Sequence, residues 1–203
     1  YCTANAVKSI EGQYGKRGWN FNVVKTGDSV DIGNGKHLVF VEMRMLHWPD
    51  SMATYLTGDN ILFSNDAFGQ HYAVEELLKY FTNILNPFPP ILIKKLEEIG
   101  KLNLPIEMIA PSHGAIWREE PLQIVNKYEE WAAAYQEDQI TVVYDTMWEG
   151  TAKLAHAIAA ELHKQNPETV VKVFSLAKTD KNELMTEVFK SRAIAVGSPT
   201  VSN

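Results

Sequence analysis

Residues 140–151, ITVVYDTMWEGT, decide the fold of the second half of the chain. The first five of them are β-branched or aromatic, which is typical of a buried strand. Residues 145–151 are then predicted to form a loop that leads directly into a helix, because residues from Thr151 onward recur at helical spacing. These residues are Leu154, Ala155, Ile158 and Leu162. Strand, loop and helix in this order predict the start of a βαβ unit.

The same alternation continues downstream. Residues 169–176, TVVKVFSL, predict a second strand, and residues 193–197, AIAVG, predict a third. Between them, Asp180 and Glu183 form a capping-box pattern that opens a helix with Leu184 on its inner side. A βαβαβ order predicts a parallel sheet. Since a doubly wound sheet normally has about five strands, we expect this domain to be truncated.

The loop after the first of these strands has the chemistry of a phosphate site. A helix N-terminus offers free N–H groups and the positive end of a dipole, and Thr146 and Thr151 add hydroxyl donors. Residues 145–151 contain neither a P-loop lysine nor a G-x-G-x-x-G pattern, which argues against a nucleoside triphosphate or a dinucleotide. A phosphate monoester held without lysine points to flavin mononucleotide (FMN), with Trp148 against its ring. Residues 197–203 follow the third strand and are expected at the same sheet edge.

Two plainer interpretations of this loop remain open from the residues alone. A threonine before a helix often serves only as its N-cap, and Trp148 would also suit a buried core position. Loops at two matching strand ends favour the flavin over simple capping.

The first part of the chain has a different pattern, with short extended runs separated by turns. Residues 29–42 and 52–65 each contain two such runs around a turn rich in glycine and asparagine, which predicts two hairpins. Residues 20–24, NFNVV, predict a further strand. We therefore expect an antiparallel sheet in this region.

Helical periodicity predicts four helices in the same region. They cover residues 4–15, 74–86 and 91–100 and a segment that begins at Pro121, with an inner face formed by Val125, Tyr128, Ala132 and Tyr135. Residues 106–110 predict a short strand, and the polar residues 136–139 predict a linker.

Three residues with metal-binding side chains stand where predicted strands meet loops: His47, Asp66 and His113. Imidazole nitrogen and carboxylate oxygen suit a transition metal, and a carboxylate can bridge two ions. Each is also compatible with a structural role, since Asp66 could hold a turn and Asp50 is a competing carboxylate nearby. His71 follows Asp66 closely and is expected to line the same pocket. Together these positions predict part of a two-metal site.

Composition narrows the class of protein. The 203 residues are 45% hydrophobic and 22% charged, an ordinary globular balance, and a net charge of −6 gives no basic footprint for nucleic acid. The sequence contains no run of about 18 apolar residues, so it predicts no membrane span. No signal peptide is evident. A single cysteine, Cys2, fits a reducing cytoplasm. Because the chain lacks an initiating methionine, we expect it to begin within a longer protein.

Five motifs, in their order along the chain, carry a family resemblance. They are LHWPDSM (46–52), ILFSNDAFGQHYA (61–73), APSHGAIWR (110–118), YDTMWEGT (144–151) and VGSPT (196–200). The chain resembles the flavodiiron proteins, also called A-type flavoproteins. Its first part, with YCTANAV and WNFNVVKTGD, is most similar to the anaerobic nitric oxide reductase flavorubredoxin branch.

The resemblance implies an α/β fold in two parts. Residues 1–137 would be the C-terminal part of a metallo-β-lactamase-like αββα domain with a non-haem di-iron site. Residues 138–203 would be the first half of a flavodoxin-like doubly wound parallel sheet that binds FMN. The implied enzyme takes electrons from a rubredoxin-type donor and reduces NO to N₂O, or O₂ to water, as a head-to-tail homodimer or homotetramer in the cytoplasm.

The resemblance also assigns roles to individual residues. His47 resembles a ligand of one iron, His113 a ligand of the other, and Asp66 the carboxylate that bridges them. The flavin phosphate loop is matched by Thr146, Met147, Trp148, Glu149, Gly150 and Thr151. The loop beside the isoalloxazine ring is matched by Ser198, Pro199, Thr200 and Asn203.

Two departures from the family pattern matter. The family's first metal motif, H-x-E-x-D-H, would lie upstream of Tyr1, so we expect this chain alone to bind metal poorly. The segment from Asp66 to His113 is shorter than the family pattern, and the missing piece is expected after Ala73. Two other functions fit the same elements less well: a flavin-only electron carrier with a structural first domain, and a metallo-hydrolase, which would have no use for FMN.

Overall fold

A computed structural model describes residues 1–71 and 76–200 of the chain. The chain divides into two compact units, Tyr1–Ala133 and Ala134–Asn203. Residue 137 already belongs to the first strand of the second unit, whereas the sequence suggested a boundary after it. In the described ranges, no helix combines the length and the apolar character that crossing a bilayer requires.

The first unit combines one five-stranded sheet with helices. Its strands are β1 (Ser29–Gly33), β2 (Lys36–Glu42), β3 (Met52–Leu56), β4 (Ile61–Asn65) and β5 (Met108–Pro111). Its helices are α1 (Ala4–Tyr14), α2 (Leu77–Tyr80), a π-helical turn (Phe81–Leu85), α3 (Pro89–Lys101) and α4 (Leu122–Ala132).

Both predicted hairpins are present. Asn34 adopts a φ of 55° and Asn60 a φ of 55°, the left-handed conformation that tight turns need and that asparagine tolerates. The sheet order is β1-β2-β3-β4-β5. The predicted strand at residues 20–24 is wrong: Val23 makes only an isolated bridge to Cys2. The backbone groups of Val23 are therefore not part of a β-ladder of several residue pairs.

The last two strands of this sheet set up the site. β4 and β5 pair in parallel, whereas the hairpin strands before them pair antiparallel. Parallel strands have their carboxyl ends at the same sheet edge. The segments that follow Asn65 and Pro111 are therefore neighbours, and Ser112 N–H donates to the Asn65 carbonyl across 2.8 Å.

The helices differ in detail from the sequence predictions. Residues 74 and 75 of the predicted helix over 74–86 lie outside the described residues, and in the described part α2 changes into the π-helical turn at Phe81. Pro89 and Pro90 begin α3, where their missing N–H groups cost no helical hydrogen bond. The buried face of α4 consists of Ile124, Tyr128 and Trp131. Of the predicted inner residues, Tyr128 is confirmed, whereas Val125, Ala132 and Tyr135 are not among the buried residues of this helix.

An aromatic cluster forms the core under the π-helical turn. Phe81 and Tyr128 are fully buried, with ring centroids 5.1 Å apart, and Trp131 packs against both rings. Phe68 lies 4.9 Å from the Tyr128 ring. This packing fixes the segment that carries Phe68, which follows β4 directly.

The second unit is a three-stranded parallel sheet with two helices. It contains β6 (Glu137–Tyr144), α5 (Gly150–Gln165), β7 (Val170–Ser175), α6 (Lys181–Lys190) and β8 (Ser191–Gly197). The strand order is β7-β6-β8. The first strand in sequence is therefore central, which is the order that opens a flavodoxin-like sheet. At the start of α6 the Asp180 carboxylate accepts from the N–H groups of Asn182 and Glu183, as the capping pattern predicted.

The predicted linker at residues 136–139 is wrong, because β6 already begins at Glu137. Gln139 is buried and donates through its amide to Ser191 Oγ at 3.1 Å and to the Glu187 carboxylate at 2.9 Å. Burial alone would raise the pKa of Glu187, but hydrogen bonds from Lys172 and Gln139 outweigh it and lower that pKa. From the sequence alone, a polar residue such as Gln139 indicates a linker, although the structure buries it and hydrogen-bonds its amide NH₂ group.

Helix α5 packs through small residues. Ala152, Ala155 and Ala159 are buried against the sheet, whereas Leu154 is 66% exposed and Ile158 is 47% exposed. The helix is where the sequence predicted it. Of the predicted apolar residues, Ala155 is buried and Leu162 packs against the same cluster, whereas Leu154 and Ile158 do not belong to the buried face.

Candidate metal centre and phosphate loop

His47 lies in the loop between β2 and β3. The loop is held by main-chain bonds, from Met43 N–H to the Ser51 carbonyl at 2.8 Å and from Met45 N–H to the Trp48 carbonyl at 2.8 Å. Leu46 is buried beneath it. The His47 ring is therefore presented from a well-braced loop, with Trp48 beside it at a centroid distance of 5.7 Å.

Asp66 is the first residue after β4, and His113 is the second residue after β5. Parallel pairing of these strands brings their ends to one edge of the sheet. The turn after Asp66 is closed by Gly69 N–H, which donates to the Asp66 carbonyl at 3.2 Å. The two side chains thus meet because of strand direction, although they are distant in sequence.

The Asp66 carboxylate stands between two imidazoles. Its Oδ2 lies 3.3 Å from His47 Nε2, and its Oδ1 lies 3.6 Å from His113 Nε2. Each carboxylate oxygen therefore faces a different histidine. This is the arrangement that a carboxylate bridging two metal ions requires, with one imidazole for each ion.

The described residues do not enclose a single metal ion. Among them, no group of three histidine, cysteine, aspartate or glutamate side chains converges closely enough to hold one ion. The geometry is instead two donor pairs that share Asp66. The donor set fits a pair of ions whose remaining ligands come from elsewhere.

The sequence did not identify two hydroxyl groups that contact Asp66 in this site. Ser112 Oγ donates to Asp66 Oδ1 at 2.9 Å. Tyr80, buried in α2, donates from its hydroxyl to the Asp66 carbonyl at 3.2 Å and lies 3.4 Å from His113 Nε2. Burial and then the Asp66 charge raise the pKa of Tyr80, so the phenol keeps its proton at neutral pH. A tyrosine in an ordinary helical pattern carries no signal of such a role.

The structure places His71 in the same cluster. Its ring stacks on His113 at a centroid distance of 5.1 Å and meets the Tyr80 ring edge-on at 5.0 Å. Asp50 shares a cavity of about 570 Å³ with Asp66 and Trp48, but no histidine is paired with Asp50 among the described residues. The geometry favours Asp66 as the carboxylate of this centre.

Tyr128 anchors the segment that carries Asp66, and its removal gives a first test. Its hydroxyl accepts from Phe68 N–H at 3.1 Å in a fully buried setting. We expect Tyr128→Phe to reduce the free energy of unfolding by about 1–3 kcal/mol, because the Phe68 N–H would remain buried without a partner. Urea unfolding followed by circular dichroism measures this. Tyr14→Phe, at an exposed position, is the control, and equal stability of the two variants would refute the anchoring role.

In the second unit the predicted phosphate loop and the loop after β8 line one cavity. It has a volume of about 340 Å³, and its walls come from both loops: Thr146, Met147, Trp148, Gly150, Thr151, Pro199 and Thr200. Gly197 lets the end of β8 approach the first turn of α5, since a Cβ there would lie 2.9 Å from Thr151 Cγ2. The two loops predicted to share a ligand are thus adjacent.

The local geometry argues against the plainer interpretations of this loop. Glu149, not a threonine, is the N-cap of α5, and its side chain makes no capping bond within the part of the chain described. The buried Thr146 Oγ1 has no hydrogen-bond partner among the described residues. Trp148 is 87% exposed, so the core interpretation is wrong. Free N–H groups and an unpaired hydroxyl at one helix start fit a phosphate.

Of the predicted flavin residues, Glu149 and Ser198 are not among the described residues that line the cavity formed by the two loops. Glu149 adopts a left-handed conformation with a φ of 61°, and its side chain is exposed. Ser198 Oγ donates to the Pro199 carbonyl at 3.4 Å. Asn203 lies outside the described residues, as does the predicted gap after Ala73. The roles of all ten predicted flavin residues therefore stay predictions.

No family model matches the chain. Individual known proteins do match it. The chain is 54% identical to an anaerobic nitric oxide reductase flavorubredoxin of Klebsiella pneumoniae and 54% identical to one of Escherichia coli. Both matches cover 100% of this chain and 45% of the relative, so the chain spans about half the length of these relatives. Because 217 aligned positions face 203 residues, at least 14 positions of the relatives have no counterpart here.

Solved structures agree in fold. Rubredoxin oxygen:oxidoreductase from Desulfovibrio gigas matches with a TM-score of 0.91 and 29% identity, over 99% of this chain and 53% of that one. The flavodiiron protein from Giardia intestinalis matches with a TM-score of 0.87 and 28% identity, over 100% of this chain and 52% of that one. The predicted fold class is confirmed. Over its whole length the chain is therefore similar in structure to flavodiiron proteins and in sequence to anaerobic nitric oxide reductase flavorubredoxins.

Proposed function

We propose that the full-length protein is a flavodiiron oxidoreductase. It takes electrons from a rubredoxin-type donor, passes them through FMN, and uses them at a non-haem di-iron site. The reaction converts two NO with two electrons and two protons into N₂O and water, or reduces O₂ to water. The assembly proposed with it is a head-to-tail homodimer or homotetramer.

One observation carries this proposal: the Asp66 carboxylate offers one oxygen to the side of His47 and the other to the side of His113. A metal bound by imidazole and carboxylate with open positions is typical of non-haem iron that activates small gases. Two iron ions held across Asp66 would supply electrons together to a bound substrate. The cavity at the start of α5 supports the flavin part of the proposal independently.

The chain's own residues have distinct tasks in this proposal. His47 and His113 each orient one metal position, and Asp66 sets the separation between them. Ser112 holds one oxygen of the carboxylate through its hydroxyl at 2.9 Å. Tyr80 keeps a protonated hydroxyl 3.4 Å from His113 Nε2, where it can donate to a group bound beside that nitrogen.

The names of the relatives are consistent with this chemistry but differ in substrate. The names of the proteins from Klebsiella pneumoniae and Escherichia coli refer to nitric oxide as the substrate and to a flavin combined with rubredoxin. The Desulfovibrio gigas protein is named for rubredoxin and oxygen. Sequence identity is higher to the former, which favours NO as the main substrate.

The test uses the full-length protein with a chemically reduced rubredoxin. We expect about two irons per subunit and bound FMN, together with consumption of NO and release of N₂O in a ratio of two to one. Consumption of O₂ is measured side by side under the same conditions. FMN without iron and without gas consumption would indicate a flavin-only electron carrier, and zinc-dependent hydrolysis without FMN would indicate a hydrolase; either result would overturn the proposal.

A further inference from the structure

The inner side of the His113 ring faces a main-chain carbonyl. His113 Nδ1 lies 3.3 Å from the carbonyl oxygen of Gln70, while Nε2 faces Asp66 Oδ1 and the Tyr80 hydroxyl. The Gln70 side chain is buried and only 1% exposed. The two ring nitrogens of His113 therefore have different kinds of neighbour.

A carbonyl oxygen can only accept a hydrogen bond. The contact with Gln70 therefore requires a proton on Nδ1, and in a neutral imidazole this leaves Nε2 without one. The unprotonated nitrogen then points to the side of the Asp66 carboxylate. Metal-binding histidines commonly donate their other ring N–H to a carbonyl or carboxylate in this way.

Two glycines make this contact possible. A Cβ on Gly69 would lie 2.7 Å from His113 Cε1 and 2.9 Å from Nδ1. A Cβ on Gly114 would lie 2.7 Å from Gln70 Cδ and 2.8 Å from Gln70 N, and Gly114 also has a φ of +86°. The turn after β4 and the turn after β5 therefore interlock at a distance that no side chain at either glycine allows.

We propose that the Gln70 carbonyl is a positioning group for His113 and that Gly69 and Gly114 are required for it. The carbonyl fixes the tautomer in which Nδ1 carries the proton, and the glycine pair aims Nε2 at the second metal position beside Asp66. This inference rests on the proposed metal centre, but the tautomer it predicts does not need a metal to be present.

The first experiment measures the tautomer directly. Full-length protein is labelled with ¹⁵N-histidine, freed of metal, and studied by nitrogen–proton correlation. The His113 signals are identified by their loss in His113→Gln. We expect a ring with its only proton on Nδ1. A ring with its only proton on Nε2, or with a proton on both nitrogens, would overturn the proposal. Because the protein is metal-free, failure of the proposed iron chemistry would leave this result unaffected.

The second experiment measures how firmly iron is held, with matched glycine controls. We expect Gly69→Ala and Gly114→Ala to release iron to a chelator about 10–100-fold faster than the unmodified protein, the range typical for loss of such a supporting contact. Gly100→Ala is the control for Gly69, and Gly27→Ala, with a φ of +90°, is the control for Gly114. A Cβ at either control position meets nothing within 4 Å. Release rates equal to those of the controls would overturn the proposal.

A third variant separates the carbonyl from the side-chain amide of the same residue. Gln70 Oε1 has no hydrogen-bond partner among the described residues, so Gln70→Met is expected to keep both the tautomer and the iron release rate. Loss of the Nδ1 proton in this variant would assign the role to the amide instead. If an alanine variant fails to fold by circular dichroism, the tautomer of the unmodified protein decides the question.

Discussion

Replacing Asp66 by asparagine in the full-length protein is expected to lower the rates of NO and O₂ reduction by at least about 1000-fold. An asparagine has no negative charge and presents an NH₂ group to one of the two histidines, so it cannot bridge two cations. Loss of a metal position removes several kcal/mol of stabilisation, and each ~1.4 kcal/mol corresponds to about tenfold in rate. Gas consumption with a reduced donor measures the rate, and iron content is expected to fall by about half or more.

The control for this variant is Asp59→Asn in the β3–β4 turn. Asp59 pairs with Lys36 at the surface, where an ion pair contributes about 1 kcal/mol or less. Both variants are expected to retain FMN, because Asp66 and the flavin loop belong to different compact units. An Asp66→Asn protein with normal iron content and normal turnover would exclude the bridging role.

The parts of this site that the sequence could predict are those fixed by local rules. Asn34 and Asn60 mark turns because asparagine tolerates a left-handed backbone, and both hairpins follow. The ends of β4 and β5 could be recognised as loop starts, which pointed to Asp66 and His113. Their meeting depends on the parallel pairing of two strands separated by two helices, which no local pattern specifies.

The parts that could not be predicted depend on tertiary contacts. Tyr80 fits an ordinary helical pattern, and only the fold brings its hydroxyl next to Asp66 and His113. Gln70 acts through its main chain, which carries no signal in a side-chain pattern. The π-helical turn at Phe81 packs against Tyr128 and Trp131. Helical periodicity in the sequence cannot show where an α-helix widens into a π-helical turn.

The same limit explains the error at residues 136–139. A run of four polar residues is typical of a linker, yet Gln139 is buried with its amide hydrogen-bonded to Glu187 and Ser191. A buried polar group is tolerated where its hydrogen bonds are satisfied. Its partners lie on α6 and at the start of β8, so the burial of Gln139 becomes evident only once the sheet has formed.

The double variant Thr146→Val, Thr151→Val is expected to weaken FMN binding by at least about 100-fold. The buried Thr146 hydroxyl has no partner among the described residues, and Thr151 lies in the first turn of α5 on the same cavity. Valine keeps the shape of each side chain and removes the donor. A hydrogen bond to a charged group contributes about 1.5–3 kcal/mol. The loss of two such bonds therefore accounts for a dissociation constant that is at least about 100-fold higher. Fluorescence titration of the flavin-free full-length protein measures the dissociation constant.

The control removes a threonine hydroxyl that already has a partner. Thr186 donates to the Asn182 carbonyl on the exposed side of α6, so Thr186→Val is expected to bind FMN normally. Iron content should be unchanged in every variant, because the metal residues belong to the other unit. If the double variant binds FMN as tightly as Thr186→Val does, the hydroxyls do not hold the phosphate. The main-chain N–H groups at the start of α5 would then have to account for phosphate binding alone, and the orphaned Thr146 hydroxyl would need another explanation.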